Sequence, residues 1–207
     1  MRIAATAALI GVAALLSGCG TLGRAECEIG DWRTIGIADG ANGQPASRIG
    51  RHAEACASFG VGVNLDEYTA GREIGLREYC RPARGFQAGR AGERYFGVCP
   101  ADKATAFEAA YEDGRRVYEA NREVRDIESD IASAERRLER LDDEAAEAER
   151  VAVDSADANA RAAAISDLRR VTEERGRIRS DLVELGVRLG RAEAAAEAVE
   201  RELLLRY

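Results

Sequence analysis

His52 stands four residues before Cys56, a spacing that puts both side chains on one face of a helix. An imidazole beside a thiol is a base–nucleophile pair. The same sulfur, with Cys27, Cys80 and Cys99, also supplies the atom types of a zinc site. Both chemistries need reduced thiols, and no Cys-x-x-Cys pair is present. Neither a catalytic residue nor a metal or other cofactor is therefore expected. Asp66-Glu67 and Asp142-Asp143 have the composition of acid–base pairs, but carboxylates on amphipathic helices usually form a solvated face. Glycines at 85, 89, 92 and 97 with Arg84, Arg90 and Arg94 suggest an anion cradle. A tight structural loop is the favoured reading, because a lone glycine series is weak evidence and no P-loop, Gly-x-Ser-x-Gly or His-Glu-x-x-His motif occurs.

The redox state of those cysteines follows from the N-terminus. Met1-Arg2 gives a short basic start, Ile3 to Leu16 is an apolar run, and Ser17-Gly18 supplies small residues. This is the pattern of a secretory signal over residues 1–18, and the run is short for a retained membrane helix, the alternative reading. Leu16-Ser17-Gly18-Cys19 resembles the lipobox of bacterial lipoproteins. The resemblance implies cleavage before Cys19, diacylglyceryl on its sulfur and an acyl chain (palmitate) on its amino group. Several chains together hold a protein stably at a membrane, where one binds marginally. Gly20 rather than Asp follows, which by analogy with Gram-negative sorting favours the outer membrane, with the chain facing the periplasm. With Cys19 lipidated, four cysteines remain in an oxidising compartment, and two disulfides are expected. Three connectivities are possible; we favour neighbours along the chain, Cys27 with Cys56 and Cys80 with Cys99. The 207 residues carry 30 Lys and Arg against 37 Asp and Glu, and loss of the leader removes only Arg2 among them. An acidic balance argues against nucleic-acid binding.

These residues need elements to hold them. A lipidated tether over 19–26 precedes a head over 27–100 that holds the only Trp and all three prolines. Asp31, Ser47 and Asn64 are candidate helix caps, and Gly40, Asn42-Gly43 and Gly60 candidate stops. The stretch from Gly85 to Pro100 reads as irregular. Tyr68-Gly71-Gly75-Tyr79 echoes Phe107-Ala110-Gly114-Tyr118, with Trp32-Gly36-Gly40 a looser relative. Small residues four apart let a neighbouring helix backbone approach closely, and the Arg, Glu and Asp between them exclude a membrane span.

From Ala101 to Tyr207 prolines vanish and heptads take over. Val117, Val124, Ile131 and Leu138 with Ala120, Ile127, Ala134 and Leu141 form one seam; Leu168, Leu182 and Leu189 with Val171, Ile178 and Leu185 form another. The seams differ in phase by an amount that neither usual heptad interruption produces. Asp154-Ser155-Ala156-Asp157 offers turn and cap chemistry between them. The expected fold class is therefore all-α: a small disulfide-stapled head, then a long antiparallel coiled-coil hairpin over 101–207 turning near 152–158. Folding back sets Leu141 by Leu168, Leu138 by Val171 and Ile131 by Ile178, with Glu123–Arg188, Glu128–Arg179 and Arg137–Glu174 as flanking pairs. It also returns Leu203-Leu204-Leu205 to the neighbourhood of Phe107 and Tyr111. The alternative is one uninterrupted helix that pairs between molecules.

The head resembles the domain-of-unknown-function 2799 family of bacterial lipoproteins. The matching residues are Cys27, Asp31-Trp32, Gly36, Asp39-Gly40, His52-Ala53, Cys56, Tyr68, Gly71, Gly75-Leu76, Tyr79-Cys80, Tyr95-Phe96-Gly97-Val98-Cys99-Pro100, Phe107, Ala110-Tyr111 and Gly114. The resemblance implies an envelope location and a shared fold, and it brings no activity or catalytic residues. The expected role is a non-enzymatic envelope protein held to the membrane at Cys19 and presenting a helical rod to a protein partner. The alternative is an enzyme or binding module for peptidoglycan or another envelope glycan, with the head as its site. Cysteines introduced at positions 131 and 178 are expected to join within one chain on mild oxidation. Linkage only between chains, read by non-reducing electrophoresis, refutes the hairpin.

Overall fold

The structure, a computed structural model, describes residues 22–207. The leader and the lipidation position Cys19 lie outside the described residues. The chain divides into two compact units, one ending at Glu78 and one running from Tyr79 to Tyr207. The boundary falls inside the stretch that composition marks as a single head, so residues 79–100 belong with the hairpin. All regular structure among the described residues is helical.

In the first unit, α1 (Arg24–Ile29) starts where the Glu26 carboxylate accepts the Gly23 N–H at 2.8 Å. It begins within the stretch read from sequence as a tether and ends at Gly30, whose φ is 63°. Helix α2 (Trp32–Ala41) is capped by Asp31, which accepts the Thr34 N–H at 3.0 Å. Helix α3 (Arg48–Ala57) follows Ser47, but the serine side chain makes no capping bond. Helix α4 (Leu65–Tyr79) is started by Asn64, which accepts the Glu67 N–H at 3.1 Å.

The joint between α2 and α4 explains the small residues. A Cβ on Gly36 would lie 2.1 Å from the Tyr68 carbonyl oxygen, and one on Gly40 would lie 2.3 Å from that of Arg72. From the other side, Gly71 and Gly75 meet the Arg33 and Ile37 carbonyls at 2.0 and 2.2 Å. Real Cβ atoms do not approach that closely, so each helix presents bare backbone to the other.

The second unit repeats the device. Helix α5 (Pro82–Arg90) crosses α6 (Ala101–Asp154) through Gly85, Gly89 and Gly114, whose Cβ positions fall 2.6, 2.0 and 2.1 Å from the carbonyls of Phe107, Tyr111 and Phe86. Ala110 fills the fourth place and is fully buried. The stretch expected to be irregular thus begins with a helix. Pro82 fits the first turn, where no N–H is needed; backbone contact selects Gly85 and Gly89, while Gly92 and Gly97 take the positive φ, 71° and 66°, that a turn requires. The closing turns also match. Gly43 and Gln44 donate to Gly40 and Asp39 at 3.0 and 2.9 Å, just as Gly92 and Glu93 donate to Gly89 and Ala88 at 3.0 and 2.9 Å. Each half has one disulfide, Cys27–Cys56 and Cys80–Cys99, with Cα atoms 5.4 and 5.6 Å apart.

Helix α6 turns at Ser155-Ala156-Asp157 into α7 (Ala158–Leu204), and the two pack as an antiparallel hairpin. Asp157 caps α7 through the Asn159 N–H at 2.9 Å, and Arg161 donates to the Ser155 and Ala156 carbonyls. At about 1.5 Å per residue the arms extend roughly 80 and 70 Å. Leu141, Ala145 and Val171 form a buried knot with Leu168 and Ile178 around it. Of the expected flanking pairs Arg137–Glu174 forms, at 2.6 Å, while Arg170 reaches Glu144 and Arg175 reaches Asp142 instead. At its far end Leu203 packs with Phe86, Ala110 and Val117, and the Tyr207 ring stacks on Phe86 at 4.7 Å. The return of the C-terminus to the start of α6, read from the heptads, is thereby realised. No helix among the described residues is long and apolar enough to cross a membrane.

Gly40→Ala is expected to cost at least about 1–3 kcal/mol, because the added methyl meets a carbonyl that cannot move alone. Gly50→Ala, in α3 with open space at its Cβ, is expected to change stability by no more than about 1 kcal/mol, in the favourable direction. Urea unfolding with the disulfides intact measures both.

Candidate functional site

The chemistry-bearing side chains of the first unit converge at one point. Asp39 sits one residue before Gly40, so the close crossing carries its carboxylate toward α4. Arg48 and His52 share a face of α3, and Tyr68 lies at the crossing on α4. One carboxylate oxygen, Asp39 Oδ2, accepts from the Tyr68 hydroxyl at 2.8 Å and pairs with His52 Nε2 at 2.8 Å. The other, Oδ1, faces Arg48 Nε at 3.8 Å. Two donors on one oxygen fit an ionised carboxylate, which places the imidazole proton on Nε2. His52 and Tyr68 are 3% and 2% exposed. Alongside, Arg72 Nη2 donates to the Gln44 carbonyl at 2.8 Å and holds the turn after α2.

Burial first, and then the hydrogen bond to Asp39, push the Tyr68 hydroxyl well above the ordinary phenol value of 10.0. Its proton is therefore retained as part of the joint. His52 Nδ1 and Arg48 Nε are buried and have no hydrogen-bond partner. An Asp–His pair can orient an imidazole as a base. Here the imidazole is sealed from solvent, and Cys56 beside it is locked to Cys27. What the arrangement does is tie three helices together through one carboxylate.

The sequence sets His52 beside Cys56 on one helix face, and the structure gives it a further partner, Asp39. The physical reason is that α3 turns its Arg48, His52, Cys56 face inward, against Asp39 and Cys27. Asp39 was missed as a partner. The signal available was the run of Arg, His and Cys at four-residue intervals, which put polar groups on the same stripe as a buried sulfur.

Residues 31–116 match the family described as protein of unknown function (DUF2799). That stretch belongs to this family. No curated protein and no solved structure matches the chain. The DUF2799 segment opens on the capping Asp31 and closes just past Gly114, so it encloses both bare-backbone crossings and the Asp39 cluster. It leaves out most of the hairpin.

The remaining sequence candidates fall elsewhere. Arg84, Arg90 and Arg94 do not converge: Arg84 pairs with Glu93 at 2.7 Å, Arg90 with Glu200, and Arg94 lies over the Phe96 ring at 5.1 Å. The loop they flank is held by aromatic side chains instead. Tyr111 donates to the Glu93 carbonyl at 2.7 Å, and Tyr95 accepts the Cys99 N–H at 3.2 Å. Asp142 serves as a partner of Arg175 on the rod.

Tyr68→Phe removes a donor from a buried carboxylate and is expected to cost about 1–3 kcal/mol near neutral pH. Because the folded state raises the Tyr68 pKa, its contribution is complete below the ordinary value of 10.0 and is lost as pH rises above it. The wild-type chain should lose more stability than Tyr68→Phe between pH 9 and pH 11. Denaturant unfolding across that range checks the sign.

Proposed function

We propose that this chain is a lipid-anchored protein of the bacterial envelope, on the periplasmic side of the outer membrane, whose role is non-catalytic. Its DUF2799 segment braces the fold, and its hairpin presents a rod to a protein partner. The observation that carries this reading is the hairpin itself. Two arms of 54 and 47 residues bury a narrow apolar seam and turn charged faces outward along their length. Rods of this kind hold surfaces at a distance, which suits protein contacts. The anchor rests on the Leu16-Ser17-Gly18-Cys19 motif.

The glycan-acting alternative needs an accessible acid–base group in the head. His52 is the chain's only histidine, and its burial against Asp39 weighs against that use. Cys19→Ser is expected to move the chain from the membrane fraction to the soluble periplasmic fraction. Photocrosslinkers at exposed rod positions such as Glu139 and Arg177 should capture a defined partner, while the same probe at Glu54 of the head should not. Capture from the head alone, or release of a glycan fragment by purified protein, would overturn the proposal.

A further inference from the structure

Most glycines inside helices of the DUF2799 segment meet a neighbouring backbone, and Gly50 of α3, with open space at its Cβ, is the exception there. Each of Gly36, Gly40, Gly71, Gly75, Gly85, Gly89 and Gly114 faces a backbone carbonyl of a neighbouring helix. Gly176, Gly186 and Gly190 of α7 break the pattern, since nothing lies within 4 Å of where their Cβ would be. Glycine lowers helix stability relative to alanine, and here no contact within the chain offsets that cost. Val183 and Val187 stand beside them on the same face, 71% and 52% exposed. The face points away from the seam, which α7 lines with Val171, Ala192, Ala196 and Leu203.

The charges bordering this face identify what covers it. Arg179, Glu184, Arg191 and Glu193 are exposed and take part in no ion pair among the described residues. Elsewhere on α7 Arg170, Arg177 and Arg201 pair with Glu174, Glu173 and Glu197. The four free charges complement one another when two copies of the helix are laid antiparallel. With Gly186 near the two-fold axis, Arg191 of each copy lies by Glu184 of the other along one border. Arg179 of each lies by Glu193 of the other along the opposite border. Val183 of one copy then meets Gly190 of the other, large against small. A surface that pairs with itself about a two-fold axis makes a closed dimer.

We infer that the Val183–Gly190 face of α7 is a self-association surface, on which a second copy of this chain lies antiparallel with Gly186 at the axis. This names a partner for the rod and rests on reading the rod as an interaction surface. It requires no particular role for the head.

The test is disulfide trapping of the full chain in cells, read on non-reducing gels. Gly186→Cys sits at the axis and should give a dimer of twice the chain mass. Gly176→Cys lies on the same exposed face but roughly 30 Å from its symmetry mate, so it should not. Arg191→Glu should cut the Gly186→Cys dimer yield at least tenfold. Adding Glu184→Arg should restore it to within threefold, a recovery that misfolding cannot produce. Equal linkage at 176 and 186, or none at 186, overturns the inference. Linkage at 186 only to a different protein also overturns it, while leaving the rod as an interaction surface. Self-linkage at 186 in a chain that Cys19→Ser fails to release supports the inference and removes only the anchor.

Discussion

Two helices whose backbones touch leave no room for a side chain between them, and the rest of both units is arranged around that exclusion. Where α2 meets α4 and where α5 meets α6, carbonyl oxygens occupy the space a Cβ would need. Contact this close gathers many weak dispersion contacts into a small area. It also fixes the rotation and the sliding of each helix, since a shift of one residue would bring a side chain into a carbonyl. Helix α2, only 10 residues long, has little other means of specifying its register.

Close approach has an electrostatic consequence at α2. The crossing draws Asp39 toward α4, where a lone carboxylate would be expensive to bury. Tyr68 and His52 satisfy it with two hydrogen bonds, and Arg48 stands by as a compensating charge. The same α3 face that brings His52 brings Cys56, so the covalent and the polar ties act on one helix. In the second unit Ala88 stands at the place in the closing turn that Asp39 holds in the first. There rings do the work instead: Tyr79, Tyr95 and Tyr111 gather around the fully buried Phe107. Two solutions to one crossing occur within a single chain.

The hairpin was legible because its signal is long: many heptads average out local exceptions, and the phase change between the two seams has few explanations. The caps at Asp31 and Asn64 were legible because each satisfies a specific backbone N–H. The α5 helix was not, since Gly85, Gly89 and Gly92 read locally as loop residues, and what they face, two carbonyls and the Tyr118 ring, belongs to a helix that begins beyond Cys99. Asp39 escaped for a similar reason. Its partners come from α3 and α4, and no local pattern announces a three-helix meeting point. Composition changes at Pro100, whereas the packing of the chain regroups where α4 ends.

Leu203 and Tyr207 close over Phe86, so residues far later in the chain complete the surroundings of α5 and the start of α6. During synthesis Phe86 and Val117 therefore stay uncovered until α7 has followed α6 and folded back, however early the neighbouring crossing forms. A chain cut before Leu203 would carry an open apolar scar beside an otherwise finished crossing.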